Sequence, residues 1–363
     1  MSNYFGPSFK VEVNGNWLAA DISKNIQQIS VTFEPDTMDT CQMTLVNAYP
    51  EMRWTHTPDA DLFQEGTTVT IQMGYVDDMQ PMFDGEITKI SPSFPDSGTP
   101  VVQIDGHSRA HWLHRDKKTR TFQQMSDKQI AEKIAQDAGL SAQVDDTEVQ
   151  HDYVMQPNLT DLEFLRTRAA RIHFEVVVEG KKLIFRKQQE ADTKIYTLVW
   201  AQPQQGFGGG PNRLPLKNFT PVMNTLNQVS QVKVQGYDPA TKSKIVSTAG
   251  QDTLTSPMGG SESGSQVTTT AFHKQRQEIK VSNPVMSQSE ADQHAKALYN
   301  QRAMNFITGS GATIGVPDIR AGKVVELQGL GPRFSGFYLV QETTHTIGES
   351  GYETTFNLKR NSV

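Results

Sequence analysis

The hydrophobic period of this chain changes twice, and that limits its fold more than any single motif does. From about Phe9 to Ile104 short runs alternate apolar and polar residues. "FKVEVNG" sets Phe9, Val11 and Val13 against Lys10 and Glu12 and turns at Asn14-Gly15; "QQISVTF", "CQMTLVNA", "TTVTIQMGY", "PMFDGEITKI" and "VVQIDGH" follow. These runs are rich in Val, Ile, Thr or aromatics, and most are bounded by Gly, Pro or Asp, as half-buried strands are. Several short strands at this spacing predict an antiparallel barrel or sandwich.

From about Thr119 the period becomes helical. "SDKQIAEKIAQDAGL" opens with Ser126 and Gln129 as a capping box, gathers Ile130, Ala131, Ile134 and Ala138 on one face, and stops at Gly139. "TDLEFLRTRAARI" repeats the device with Thr160 and Glu163, placing Leu162, Leu165, Ala169 and Ile172 together. "HFEVVVEGKKLIFRK" reads as two strands joined at Glu179-Gly180. Strand texture then returns, interrupted by a third helix that opens with a capping box, Ser287 with Glu290. Two stretches, "QPQQGFGGGPNR" and "STAGQDTLTSPMGGSESGSQ", are polar, rich in Gly, Ser and Pro, and aperiodic, so they read as loops.

The expected class is therefore α+β, mainly β. A first β domain covers 1–114, a small α/β domain 115–190, and a second β domain 191–363 with one inserted helix at about 287–304 and the Gly/Ser-rich loops. A clean fixed-period repeat is missing, which disfavours solenoids and propellers.

Composition narrows the function classes. With 363 residues the chain can bury a substantial core, and 34 Lys plus Arg against 40 Asp plus Glu give a net charge of −6. That acidity argues against a general nucleic-acid binder. Cys41 is the sole cysteine, so an intrachain disulfide and a Cys-based zinc cluster are excluded; within "CQMTLV" it reads as a small buried apolar residue. "MSNYFGPSFKVEVNG" lacks the basic region and apolar stretch of a signal peptide, and no apolar run approaches a membrane span.

Four stretches invite a chemical reading. In "TTHTIGESGYETTF", Ser350 lies between Glu349 and Gly351, with His345 five residues before it. A nucleophile elbow needs G-x-S-x-G between a strand and a helix, and triad members come from separate segments. Here Gly351 follows the serine directly and Tyr352, Thr354, Phe356 and Leu358 continue as a strand, so a tight hairpin is expected. His107, His111 and His114 in "GHSRAHWLHR" would share a face on a helix, a weak candidate metal cluster. The preceding strand leaves room for a short helix only, so a surface or interface cluster anchored by Trp112 and Leu113 is the expected role. "GFGGG" at Gly206–Gly210 lacks the Gly-Lys-Ser/Thr of a phosphate loop, and Asp145-Asp146 sit in a polar connector. Catalytic residues, cofactors and metals are accordingly expected to be none.

The order of elements resembles the phage late control protein D family. "MFDGEITKISPSF" and "VVQIDGHSRAHWLHR" resemble its first-barrel strands, and "FQQMSDKQIAEKIAQDAGL" its α/β segment. "NLTDLEFLRTRAARIHFEVVVEGKKLIFRK" is the most specific stretch, with Asp161, Phe164, Leu165, Arg168, Val177 and Leu183 to Phe185 in order. "GVPDIRAGKVVELQGLGPRFSGFYLVQETTHTIGESGYETTFNLKRN" is similar to the closing barrel, with His345 before the last hairpin. The likeness covers most of the chain and is weakest in the two Gly/Ser-rich stretches.

The resemblance implies a non-enzymatic baseplate hub of a contractile tail, related to the N-terminal part of type VI secretion valine-glycine repeat spike proteins. It implies two antiparallel β-barrel domains flanking the α/β domain, and a homotrimer whose six barrels form a pseudo-sixfold ring. Expected partners are a threefold spike, tail-tube or tube-initiator proteins and baseplate wedges, with a tape-measure protein as a further candidate. Specific nucleic-acid binding is not expected. Because the chain stops at Val363 after the last strand, the spike is expected to be a separate chain. The expected location is a virion or injection-particle baseplate assembled in the bacterial cytoplasm. The competing classes are a cell-wall-degrading tail hydrolase, which would need carboxylates such as Glu326, Glu342 and Glu353 to converge, and a glycan-binding β-barrel module.

Overall fold

The computed structural model describes residues 6–35, 37–46, 62–188, 194–200, 212–238, 241–254, 258, 260–274, 276–280 and 285–363. The first β region holds β1 (Pro7–Val13), β2 (Asn16–Trp17), β3 (Ile26–Phe33), β4 (Thr40–Val46), β5 (Thr68–Tyr75), β6 (Asp78–Ser93) and β7 (Val101–Ser108), with one short helix, α1 (Ala20–Ser23). They pair antiparallel in the order β2-β1-β5-β6-β7-β4-β3. Period-two alternation sends Val11, Val13, Ile29, Val31, Met43, Leu45, Val69, Ile71 and Ile104 into one core, where Cys41 is also buried. The sheet curls around that core until β1 comes beside a late strand of the chain.

The middle region packs α2 (Asp127–Asp137) and α3 (Asp161–Arg171) against a ribbon of β8 (Lys117–Ser126) with β10 (Gln150–Thr160). A small sheet joins them, ordered β11 (Phe174–Glu179), β12 (Lys182–Lys187), β9 (Ser141–Val144). Both capping boxes form: Ser126 with Gln129, and Thr160 with Glu163. Each satisfies donors that the first helical turn would otherwise leave open.

In the last region β13 (Lys194–Val199), β14 (Arg213–Met223), β18 (Ile307–Ile314), β19 (Val324–Gln328), β20 (Gly336–Gly348) and β21 (Gly351–Arg360) close a six-stranded barrel, ordered β19-β13-β14-β18-β21-β20 and back to β19. It is not wholly antiparallel, since β13 runs parallel to both β14 and β19. Parallel neighbours need long connections rather than hairpins, and the sequence from Trp200 to Asn212 supplies one.

Between β14 and β18 lies more than one inserted helix. β15 (Gln231–Asp238), β16 (Ser243–Gly250) and β17 (Gln277–Lys280) form a sheet ordered β16-β15-β17, accompanied by α4 (Gly264–Phe272) and α5 (Gln288–Met304). The stretch from Ser247 to Gln266 is thus not a plain loop. It holds the end of β16, a 3-10 turn at Gln251–Thr253 and the capped start of α4. Two of its serines are spent on internal bonds: Ser263 caps Gln266 and bonds Gln251 at 2.6 Å, and the Ser265 hydroxyl lies 3.2 Å from that of Tyr299. Composition reported their polarity but not these partners. The other Gly-rich stretch, Gly206 to Gly210, lies outside the described residues.

One strand joins the two large β regions. The first half of β20 pairs with β19, while Thr343 to Ile347 pair with β3. Ile347 and Tyr352, on either side of the β20–β21 turn, are buried in the first core.

Candidate functional site

The β20–β21 hairpin is the natural place to begin, because it carries the serine and histidine of "THTIGESG". Gly348 faces Gly351 across a two-residue turn, and Gly351 takes φ +97°, which favours glycine. Ser350 is exposed at that turn, whereas His345 is fully buried. His345 Nε2 donates to the Ile319 carbonyl at 2.9 Å. Nδ1 is therefore the acceptor, 3.2 Å from the Tyr352 hydroxyl and 3.1 Å from Thr354 Oγ1. Thr354 Oγ1 in turn accepts from the Val316 amide at 2.9 Å. Burial pushes the imidazole down to about 3, so it stays neutral. Both nitrogens are committed inside the core and cannot activate the exposed serine.

The histidine cluster is divided among different elements. His107 stands on β7, with Nδ1 2.6 Å from Thr88 Oγ1. His111 lies in a single 3-10 turn, Arg109–Leu113, and its Nε2 is 2.9 Å from Glu86 Oε2. His114 is the exposed cap of that turn. Trp112 also donates to Glu86, at 3.1 Å, and Leu113 is buried, so both anchor the segment. Burial, then the nearby His111, hold His107 below its usual value. A helical face shared by all three does not form. Among the described residues, no group of three or more His, Cys, Asp or Glu is arranged to hold a metal ion.

The glutamates are likewise dispersed in role. Glu326 accepts from Thr197 at 3.1 Å, Glu342 from Asn357 at 2.8 Å, and Glu353 pairs with Lys217 at 2.7 Å. Glu342 and Glu353 border a shallow polar depression of about 320 Å³. Asp145 accepts from the Lys187 amide and Asp146 pairs with Lys128, so that acidic pair fastens a connector.

A cavity of about 770 Å³ lies where the first sheet, the α/β unit and the closed barrel meet. Phe33 and Asp39 line it from the first sheet, Arg166 and Glu179 from the α/β unit, and Tyr196 and Arg320 from the barrel side. Arg320 stacks over the Phe33 ring at 4.9 Å and donates to the carbonyls of Pro81 at 2.6 Å and Pro317 at 3.0 Å. Tyr196 donates to Asp318 at 2.9 Å, and Arg166 donates to the Thr37 carbonyl. Burial pushes the Asp39 carboxyl up to about 7, opposed by a backbone hydrogen bond at Glu34 and by the charge of Arg320. This arrangement clamps three units together through charge and backbone contacts; it presents no nucleophile paired with a base.

Sequence reasoning missed a second polar set, buried in the α/β unit. Arg168 Nε and Nη2 reach the Asp127 carboxylate at 2.6 and 3.1 Å, and Nη2 lies 2.7 Å from His151 Nε2. Lys118 and Arg120 both bond Asp161 at 2.6 Å. The available signal was Arg168 itself, a charge on the apolar stripe three residues after Leu165.

Solved structures share this fold over nearly the whole chain. The 43 kDa tail protein of prophage MuSo2 from Shewanella oneidensis superposes with a TM-score of 0.71 at 12% identity, covering 98% of this chain and 98% of that one. A tail protein from Neisseria meningitidis MC58 gives 0.70 at 12% identity, covering 98% and 97%. The E. coli c3393 protein, a type VI secretion component with structural similarity to the T4 tail proteins gp27 and gp5, gives 0.58 at 11% identity, covering 97% and 77%. At these identities the likeness is one of fold. No curated protein matches by sequence. The family model described as the Alg8 N-terminal domain matches residues 6–349, nearly the whole length, and the chain belongs to that family.

Proposed function

We propose that this chain is the baseplate hub of a contractile tail or injection machine, of the late control protein D type. The observation that carries the reading is reciprocal coverage: the chain and the MuSo2 tail protein each match over 98% of their length. The β20 seam supports a mechanical role, because one strand ties the two large β regions into a single sheet. In this reading the first curled sheet and the closed barrel are the two ring-forming units, spanning 1–114 and 191–363, with the α/β unit at 115–190 between them. Three copies form a ring with six similar lobes, which receives a threefold spike on one side and the sixfold tube on the other. Tube-initiator and wedge proteins dock around it, and assembly takes place in the bacterial cytoplasm. The work is binding and alignment, without catalysis.

Electron microscopy of the purified chain, alone and with a co-encoded spike, tests this. The expected averages are six-lobed rings in at least one of the two samples. Single unassembled particles in both would overturn the proposal.

A further inference from the structure

Among the described residues, the inserted sheet β16-β15-β17 is covered on one side only. Val232, Val234, Ile245 and Ala249 pack with Ala291, Ala295 and Tyr299 of α5. Pleating sends the intervening residues to the other side: Lys233, Gln235 and Tyr237 on β15, Lys244, Val246 and Thr248 on β16, and Ile279 on β17. Register sets Tyr237 opposite Lys244, Gln235 opposite Val246, and Lys233 between Thr248 and Ile279. Tyr237 is 52% exposed, Val246 41% and Ile279 57%. Single exposed apolar residues are ordinary, but three on one sheet face mark a surface suited to contact.

The charge on this face has one sign. The side chains of Lys233 and Lys244 form no ion pair or hydrogen bond among the described residues. Glu278, beside Ile279, points to the α5 side and is held by Arg302 at 2.9 Å. Asp238, at the end of β15, accepts from Thr241 at 2.6 Å. Among the described residues the face therefore shows two free cations and no carboxylate, within a chain of net charge −6. Pairing this face with itself across a twofold axis would bring its lysines no carboxylate partner. Nucleic acid fits less well, since the centre is aliphatic and arginine is missing from it.

We propose that this face docks an acidic protein segment that alternates carboxylates with apolar side chains. The carboxylates meet Lys233 and Lys244, and the apolar positions cover Tyr237, Val246 and Ile279. The face would take such a partner whether or not the chain works in a tail.

Fluorescence anisotropy of the full chain with a labelled peptide of alternating glutamate and valine provides the test. The same measurement uses a lysine–valine peptide and single-stranded DNA as comparison probes. The expected result is binding of the acidic peptide alone, weakened by salt and reduced about tenfold or more in K233E/K244E. K233Q/K244Q, which removes charge without reversing it, should fall between. Failure to bind the acidic peptide, undiminished binding by both variants, or equal binding of the other probes would overturn the proposal. So would a change in assembly mass in either variant, which would assign the face to a second copy.

Discussion

The hydroxyls of Thr32 and Thr344 lie 2.9 Å apart, although 312 residues separate them along the chain. They face each other where β3 meets β20, the seam that joins the first sheet to the closed barrel. Tyr75 reinforces the joint by donating to the Gly315 carbonyl at 2.9 Å, next to the ring of Tyr352. Load applied to one β region thus passes to the other through backbone ladders rather than a flexible linker.

Gly315 is the tightest point of that joint. A Cβ built there would fall 1.9 Å from the Tyr352 ring, and the ring is itself buried. Gly315→Ala should therefore cost about 1–3 kcal/mol through overpacking. Denaturant unfolding should show the lowered midpoint, and Tyr352→Leu in the same chain should recover part of the loss.

His345 should contribute to acid sensitivity. Its folded value near 3 lies below the ordinary 6.5, so the unfolded chain binds the extra proton between those limits. Stability is full above about pH 6.5 and falls as pH drops toward 3, by about 1.4 kcal/mol per pH unit from this group. His345→Gln should flatten that limb, read as the unfolding midpoint against pH, at some cost in stability at neutral pH.

Asp39 works in the opposite direction. Its folded value near 7 lies above the usual 3.8, so its contribution is full below about pH 3.8 and is lost as pH rises to 7. Over the shared range the two groups oppose one another, and single variants separate them. Asp39→Asn should stabilise the chain at pH 8 by about 1 kcal/mol or more relative to its effect at pH 4. Equal effects at both pH values would contradict this assignment.

Arg171 on α3 and Glu290 on α5 meet at 2.8 Å, both nearly buried. Glu290 also accepts from the Met286 amide, so its carboxylate bridges two units instead of completing a capping box at Ser287. Removing one partner strands a charge, and Arg171→Met should cost about 3 kcal/mol. The paired change Arg171→Met with Glu290→Leu should restore much of it in thermal unfolding.

Periodicity carried the strands of the first β region, the capped helices and the final hairpin, because those depend on neighbours in sequence; it missed β8 and β10, which lie in the stretch read as helical, and β14, β16 and β17. Ser126, Thr160 and Ser287 announce their helices within one turn, and Gly348 and Gly351 announce theirs. The β20 seam was not legible, since nothing local to Thr344 names Thr32 as its partner. The parallel placement of β13 and the inserted sheet were hidden for the same reason. Ser263 and Ser265 read as loop residues, yet their partners, Gln251 and Tyr299, lie 12 and 34 residues away. His345 carried a catalytic appearance that the hairpin pattern already weakened and its burial removes. The junction cavity escaped because Asp39, Arg166 and Arg320 come from three distant segments.

The mass of the purified chain in solution decides whether it assembles as a hub must. Light scattering after gel filtration, alone and with a co-encoded spike protein, should give three copies of this chain in at least one of the two samples. A strict monomer in both would contradict the hub reading and turn attention to hydrolase and glycan-binding assays.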